Sequence, residues 1–181
     1  MENAPARKVL VTGGNAGIGY ALCKQLILEN NCYVYMGTRN QERGQKAIDE
    51  MPEGCKGKVE LLLVDVANEE SVKSAATTLK ERLGEAKLYA LVNNAGVGLS
   101  TNVNKDTTIT TNVYGPKWMT DNFVSLIDAT EGRIVNVGSG AGPMYTSKVS
   151  EADKPFWSNA DTTWDQLIAK IDSVLPNLDD M

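Results

Sequence analysis

A serine, a tyrosine and a lysine lie close together in the stretch VNVGSGAGPMYTSK. They are Ser139, Tyr145 and Lys148. A tyrosine can act as a general acid or base near neutral pH when a neighbouring cation lowers its pKa from about 10. The stretch is therefore either a complete proton-transfer site or one member of a site whose other members lie elsewhere.

The positions of the three residues favour the serine as the catalytic candidate. Ser139 follows an apolar run that predicts a strand, and open α/β sheets bind ligands at the carboxyl ends of strands; the alternative is a serine that begins a turn. Tyr145 lies six positions later (145 − 139 = 6), beyond two glycines and a proline. We expect a surface loop from Gly138 to Ala160, without a helix to hold Tyr145 and Lys148 in a fixed geometry. Tyr145 is interpreted as a loop residue that lines the substrate cleft.

Short apolar runs alternate with helix-patterned segments, which is typical of βαβ units on a parallel sheet. The predicted strands are Lys8 to Thr12, Cys32 to Gly37, Lys58 to Val64, Leu88 to Asn93 and Arg133 to Val137. The predicted helices are Gly17 to Glu29, Gln41 to Met51, Glu69 to Leu83 and Thr110 to Ala129, with a last one from about Thr162 to Pro176. Right-handed crossovers give an α/β fold, a doubly wound parallel sheet with strand order 3-2-1-4-5.

The composition argues against several classes of function. The formal charge of the 181-residue chain is −5, without a block of lysines or arginines, so we expect no nucleic-acid partner and no anionic membrane surface. Histidine is absent and the three cysteines lack metal-ligand spacing, which predicts reduced thiols and no metal site. No apolar run approaches the roughly 20 residues of a membrane span, so the expected location is cytoplasmic.

A glycine-rich segment after the first strand predicts a nucleotide site. In TGGNAGIG, the residues Gly13, Gly17 and Gly19 allow a tight turn and the approach of a pyrophosphate to the next helix. Arg39 lies 20 positions beyond the last glycine (39 − 19 = 20), where a residue that reads the ribose belongs. A forked cation there favours the extra phosphate of NADP(H) over NAD. The alternative is a surface arginine paired with Glu42.

With TGGNAGIG in place, three further motifs make the chain resemble the short-chain dehydrogenase/reductase family. These are Asp65-Val66 after the third strand, Asn93-Asn-Ala-Gly96 after the fourth, and Thr111-Asn-Val-Tyr-Gly115 in the next helix. Each also has a local interpretation: Asp65 as a strand-end cap, Asn93 as a turn residue, and Asn112 as a polar helix residue beside a kink. The ordered set favours the family.

The resemblance implies a Rossmann-type fold that binds NADP(H), and it assigns roles to residues. Asp65 and Val66 would contact adenine, and Asn112 would hold a water near the active site. Ser139 would hydrogen-bond the substrate carbonyl, beside a tyrosine that donates a proton and a lysine four residues after it. The cofactor-binding residues that the motifs imply are Gly13, Asn15, Ala16, Gly17, Ile18, Gly19, Arg39, Asp65, Val66, Asn93, Ala95 and Gly96.

The region after Ser139 resembles the monomeric carbonyl reductase branch, in which an inserted helical segment separates the serine from the tyrosine. Residues 1–181 are then expected to form one NADP-binding domain with an insertion-like loop and helix over 140–181. The YxxxK motif and the last family strands are expected beyond Met181, so neither Tyr145 nor Lys148 supplies them.

The resemblance implies that this chain is the N-terminal part of an enzyme that reduces a ketone or aldehyde with NADPH. The alternative is a non-catalytic NADP-binding module. Because the last strands are missing, the fifth strand is expected to be an unpaired edge, which self-association or a companion chain would cover.

Overall fold

The computed structural model describes residues 6–98 and 104–174. The chain divides into two compact units, Met1–Val137 and Gly138–Met181. The expected end of the last helix at Pro176 lies outside the described residues. Within the described ranges, no helix is both long enough and apolar enough to cross a membrane.

The first unit is built on a parallel five-stranded sheet. The strands are β1 (Lys8–Thr12), β2 (Tyr33–Thr38), β3 (Val59–Leu63), β4 (Ala90–Asn93) and β5 (Arg133–Asn136). Their order in the sheet is β3-β2-β1-β4-β5, which confirms the predicted topology. In the register of the sheet, Leu10 of β1 lies opposite Tyr35 of β2 and Leu91 of β4.

Helices cover both faces of this sheet. They are α1 (Gly17–Asn30), α2 (Gln41–Asp49), α3 (Glu69–Leu83), α4 (Lys105–Ile109) and α5 (Gly115–Phe123), with 3₁₀ turns at Glu53–Cys55 and Val124–Leu126. Side chains at alternate positions of a strand point to opposite faces. Leu10 therefore packs with residues of α3 and α5, whereas Val9 and Val11 pack with residues of α1 and α2. Burial on both faces explains why the strand sequences are almost continuously apolar.

The helix predicted from Thr110 differs from the structure in its start and its winding. Helical structure begins at Lys105, and a π-helical turn, Thr110–Tyr114, joins α4 to α5. Pro116 at the start of α5 has no N–H to donate, and the N–H of Gly115 bonds to the carbonyl of Thr110, five residues back. In place of the predicted kink, the helix therefore continues through one π-helical turn.

The described residues of the second unit form the helices α6 (Ala141–Lys148), α7 (Lys154–Trp157) and α8 (Trp164–Val174). The first two lie where the sequence predicts a loop. The loop prediction for Gly138 to Ala160 is wrong over α6 and α7, because Pro143 and Pro155 occupy the first turns of these helices. A missing N–H breaks no helical bond in a first turn. The predicted last helix is confirmed as α8.

Candidate functional site

The turn between β1 and α1 depends on glycine at three positions. Gly13 and Gly17 have φ values of +64° and +53°, which side chains with a Cβ rarely adopt. A Cβ on Gly19 would lie 2.3 Å from the carbonyl oxygen of Gly13. The glycines of TGGNAGIG therefore form a tight turn that larger residues would disrupt.

The N-terminus of α1 leaves its backbone N–H groups available to an anion. In α2 and α3 the preceding residues, Asn40 and Asn68, accept a hydrogen bond from an N–H of the first turn. Ala16 at the same position of α1 makes no side-chain cap, and the first turn of α1 has no acidic residue. Because a helix N-terminus carries about half a positive charge, this end favours a phosphate group.

Hydrogen bonds between Thr12 and Asn94 join the glycine turn to the segment after β4. The buried Thr12 hydroxyl accepts bonds from the N–H groups of Asn94 and Ala95, each at 3.0 Å. In return, Nδ2 of Asn94 donates to the carbonyl of Thr12 at 2.8 Å. These bonds hold the ends of two adjacent strands in a fixed relation at the carboxyl edge of the sheet.

A cleft of about 400 Å³ opens at this edge. Eleven of the predicted cofactor-binding residues line it: Gly13, Asn15, Ala16, Gly17, Ile18, Gly19, Arg39, Asp65, Val66, Ala95 and Gly96. The sequence did not predict five further lining residues: Thr38, Val64, Asn94, Val97 and Thr111. Asn94 and Thr111 belong to the family motifs, and each of the other three is adjacent in sequence to a predicted residue. Adjacency to a motif residue could therefore have identified all five as lining residues.

Arg39 lies directly after β2, in the lining of the cleft, and its side chain is exposed. In the described part of the chain, no carboxylate lies within ion-pair distance of its guanidinium. The alternative pair with Glu42 is therefore not formed. The cation at this end of the cleft remains available to an external anion.

Asp65 both caps its own strand end and lines the cleft. Its Oδ1 accepts a hydrogen bond from the N–H of Ala67 at 3.0 Å, and its N–H donates to Oγ of Ser71 at 2.9 Å. The local interpretation of Asp65 as a cap is confirmed. Asp65 also lies in the lining of the cleft, where the contact with adenine stays a prediction.

Asn93 is the last residue of β4 and is absent from the lining of the cleft. Its Nδ2 donates to Oδ1 of Asn136, the residue opposite it on β5, at 2.8 Å. Its own Oδ1 is buried and finds no partner among the described residues. The side chain joins two strands, so the turn interpretation is wrong, and the cofactor contact stays a prediction that the cleft does not support.

Asn112 lies in the π-helical turn, and its side chain is engaged by the loop after β4. Its Oδ1 accepts from the N–H of Val97 at 2.9 Å, and its Nδ2 donates to the carbonyl of Val97 at 2.8 Å. The side chain therefore positions a residue that lines the cleft. The predicted role of Asn112 in holding a water near the active site stays a prediction.

Ser139 and Tyr145 belong to the second unit. The exposed Ser139 hydroxyl accepts a hydrogen bond from the N–H of Ala141 at 3.1 Å, at the start of α6. Tyr145 lies within α6, and its ring packs edge-to-face on Trp157 with 5.4 Å between centroids. The prediction that Tyr145 is a loop residue is wrong. Its packing on Trp157 gives it a structural role in this unit.

The described residues contain no group of three or more His, Cys, Asp or Glu side chains placed to hold a metal ion. Cys23, Cys32 and Cys55 are buried and unpaired. Burial raises the pKa of Cys23 to about 12 and raises the pKa values of the other two thiols. The thiols are therefore neutral at pH 7, which is unfavourable for nucleophilic chemistry.

Comparison with known proteins agrees with this geometry. The family model for short chain dehydrogenase matches residues 7–151. The chain is 30% identical to (+)-neomenthol dehydrogenase of Arabidopsis thaliana over 98% of its own length and 68% of that protein. Menthone neomenthol reductase of Mentha piperita superimposes with a TM-score of 0.79 at 26% identity, covering 98% of this chain and 75% of that one.

NADPH-bound carbonyl reductase from chicken fatty liver superimposes with a TM-score of 0.64 at 26% identity, covering 76% of this chain and 58% of that one. The chain spans 46–63% of the length of three other short-chain dehydrogenases that it matches. With the motifs in order around one cleft and the family model over most of its residues, the chain belongs to the short-chain dehydrogenase family of oxidoreductases.

Proposed function

We propose that the cleft binds NADP(H) and that the chain is part of an NADPH-dependent reductase of ketones or aldehydes. The observation that carries the proposal is Arg39, an unpaired cation in the lining of the cleft at the end of β2. It lies in the same lining as the glycine turn, so one ligand with two separated phosphate groups fits both.

The residues of the cleft fit a dinucleotide. The backbone of residues 13–19 and the uncapped N-terminus of α1 suit a pyrophosphate. Asp65 and Val66 lie in the same lining and suit the adenine. A Cβ at Gly13 would lie 3.0 Å from Cα of Ala95, so the glycine keeps the turn close to the segment after β4.

Arg39 favours NADPH over NADH because a guanidinium binds a phosphate through two parallel charged hydrogen bonds. A hydrogen bond to a charged group contributes roughly 1.5–3 kcal/mol, which corresponds to a preference of about tenfold or more. An acidic residue at this position would instead accept bonds from the 2′-hydroxyl of NADH.

Titration of the purified chain with NADPH and NADH tests this proposal. We expect Arg39→Asp to lower the ratio of NADPH to NADH affinity by at least about tenfold. Arg43→Asp is the matched control, because Arg43 is exposed and absent from the lining of the cleft. Equal loss of preference in both variants, or no binding of either dinucleotide by the parent chain, would contradict the proposal.

The reaction class is proposed from the family and from Ser139. When bound, NADPH supplies a hydride. The Ser139 hydroxyl accepts a bond from Ala141 and so keeps its own proton for donation to a carbonyl oxygen. The similar chicken enzyme is a carbonyl reductase bound to NADPH, and the similar plant enzyme is a menthone neomenthol reductase. Together these support a carbonyl substrate.

A second candidate function is an NADP-binding module without catalysis. It is favoured by the packing of Tyr145 on Trp157 and by the position of Lys148, three residues after the tyrosine rather than four. In this case the chain binds NADPH but does not oxidise it with ketones or aldehydes.

An assay of NADPH oxidation with a panel of ketones and aldehydes separates the two candidates. Turnover that is lost in Ser139→Ala and kept in Tyr145→Phe supports the reductase with a proton donor other than Tyr145. Turnover that is lost in Tyr145→Phe, in a variant that still binds NADPH, would show that Tyr145 is the donor. Binding without any turnover supports the module.

A further inference from the structure

Thr111 is a buried residue whose side-chain hydroxyl has no partner in the protein. It is 6% exposed and lies in the lining of the cleft. Within residues 6–98 and 104–174, its Oγ1 makes no hydrogen bond. The unpartnered side-chain atoms of these residues that are sealed from solvent are Oδ1 of Asn93 and Nε1 of Trp157. The Thr111 hydroxyl is therefore not sealed, and it opens to the cleft.

Two other threonines show how a helix ordinarily satisfies such a hydroxyl. Oγ1 of Thr77 in α3 and Oγ1 of Thr108 in α4 each donate to the carbonyl oxygen four residues back, at 3.1 Å. Thr111 does not make this bond, although it is more deeply buried than either of them. Its hydroxyl proton and both lone pairs are available to a ligand.

Thr111 is the second residue of the π-helical turn Thr110–Tyr114. Single π-helical turns within α-helices occur frequently at functional sites. A buried polar group without a partner is unfavourable in the folded chain. A ligand that satisfies the hydroxyl therefore supplies an interaction that the free protein lacks.

The helix that follows this turn packs closely against the segment after β3. A Cβ on Gly115, one turn after Thr111, would lie 3.1 Å from the carbonyl oxygen of Val66 and 3.3 Å from its Cβ. On the other side, Asn112 is bonded to Val97 in the segment after β4. Thr111 therefore lies where these two segments approach each other.

Val66 supplies a second unpartnered group in this part of the cleft. It is buried and belongs to the lining, and its N–H has no acceptor in the described part of the chain. The N–H groups on either side are used: that of Asp65 donates to Oγ of Ser71, and that of Ala67 donates to Oδ1 of Asp65. A ligand group with several hydrogen-bonding atoms along one edge suits the N–H and the hydroxyl together.

We propose that the Thr111 hydroxyl hydrogen-bonds the adenine base of the bound dinucleotide and contributes to its affinity. This assignment rests on the proposed binding of NADP(H), which sets the base beside Asp65 and Val66. Adenine has ring nitrogens that accept hydrogen bonds and an amino group that donates them. A threonine hydroxyl both donates and accepts, so it matches this edge.

Calorimetric titration with NADPH and with 2′,5′-ADP, which is the adenine half of NADPH, tests the contact. Thr111→Val replaces the hydroxyl by a methyl group of similar size. This variant is expected to bind both ligands about three- to tenfold more weakly than the parent chain, the effect of one neutral hydrogen bond. Thr111→Ser keeps the hydroxyl and is expected to bind both ligands more tightly than Thr111→Val.

Thr110→Val is the matched control. It makes the same substitution at the adjacent position of the same π-helical turn, and Thr110 is absent from the lining of the cleft. This variant is expected to bind both ligands as the parent chain does. An equal loss of affinity in Thr110→Val and Thr111→Val would assign the effect to the helix and overturn the proposal.

Urea denaturation without ligand separates a ligand contact from a structural role. Valine at position 111 removes a hydroxyl that has no partner in the free protein, so the free energy of unfolding is expected not to fall. A fall would show that the hydroxyl is bonded within the fold, which overturns the proposal.

The titrations also distinguish this contact from the proposed function. A parent chain that binds neither NADPH nor NADH contradicts the proposed function and the contact with it. Equal affinity of the parent chain and Thr111→Val for NADPH overturns only the contact with adenine. A loss of affinity for NADPH without a loss for 2′,5′-ADP also overturns it, because the hydroxyl then contacts the nicotinamide half.

Discussion

The side-chain amide of Asn112 is hydrogen-bonded at both of its ends by the backbone of Val97, at 2.9 Å and 2.8 Å. The pair joins the π-helical turn to the loop that follows β4. Val97 lines the cleft, and a Cβ on the preceding Gly96 would lie 3.3 Å from Oδ1 of Asn112. The amide therefore fixes one wall of the cleft through two bonds that no aliphatic side chain can replace.

Replacement of Asn112 by alanine is expected to loosen this wall. The loss of two exposed hydrogen bonds lowers the free energy of unfolding by about 1–2 kcal/mol, and it weakens NADPH binding because Val97 is no longer held. Urea denaturation and NADPH titration measure the two effects. Asn122→Ala is the control, since Asn122 makes one comparable bond, to the carbonyl of Trp118 at 2.8 Å, away from the cleft. Equal NADPH affinity in the two variants would contradict the positioning role.

Replacement of Thr12 by valine tests the connection between the glycine turn and β4. The Thr12 hydroxyl is buried and accepts from the N–H groups of Asn94 and Ala95. Valine keeps the shape but leaves the N–H of Ala95 unpaired, whereas the N–H of Asn94 still donates to the carbonyl of Val92 at 3.0 Å. The loss of this acceptor lowers the free energy of unfolding by about 2 kcal/mol. Thr12→Ser keeps the hydroxyl and loses a methyl group, at about 1 kcal/mol. If urea denaturation shows the two variants to be equally stable, the hydrogen bonds of the Thr12 hydroxyl do not contribute to the stability of the fold.

The strands and most of the cleft could be predicted because they depend on local patterns. The run from Lys8 to Thr12 was predicted with its observed bounds, since a strand buried on both faces is apolar throughout. The residues of TGGNAGIG were found because a tight turn beside a helix N-terminus requires glycine. Such features are determined by neighbours in sequence.

The predictions that were wrong concern the orientation of side chains and the contacts between segments that are distant in sequence. Asn93 and Asn94 look alike in sequence, but Asn93 ends β4 and faces Asn136, whereas Asn94 lies beyond the strand and bonds to Thr12. Sequence alone does not show on which side of a strand end each amide falls. Pro143 suggested a loop because a proline breaks the interior of a helix, but it lies in a first turn, where it breaks nothing.

The three glycines of the turn are expected to respond differently to alanine. At Gly19 the new Cβ would lie 2.3 Å from the carbonyl oxygen of Gly13, so the backbone of the turn must move. We expect Gly19→Ala to abolish NADPH binding. At Gly17 the Cβ meets no atom within 4 Å and only the positive φ is strained, which costs about 1–2 kcal/mol.

Calorimetric titration with NADPH, together with thermal unfolding, compares the two variants. Gly17→Ala is expected to bind NADPH with a moderately reduced affinity and to fold. The opposite order, with Gly19→Ala binding more tightly than Gly17→Ala, would show that the close approach to Gly13 does not shape the site.

The buried thiols are expected to make the protein less stable at alkaline pH. Burial raises the pKa of Cys23 from 9.0 to about 12. Between these values the thiol ionises in the unfolded chain but stays protonated in the folded one, so unfolding releases a proton. The free energy of unfolding therefore falls as the pH rises above 9. Cys32 and Cys55 shift in the same direction and add to the slope.

Urea denaturation at a series of pH values from 8 to 10 measures this slope, because the range brackets the ordinary thiol pKa of 9.0. The series stops at pH 10 because the pKa of Tyr33 is also raised, from 10.0 to about 12, and this tyrosine affects the slope mainly above pH 10. Cys23→Ala is expected to be less stable at every pH, since it leaves a cavity, but to show a shallower dependence on pH. The folded parent chain is expected to resist alkylation at pH 8, whereas all three cysteines react in denaturant. A variant with the slope of the parent, or rapid alkylation of the folded chain, would show that Cys23 is accessible to water and that burial does not control its ionisation.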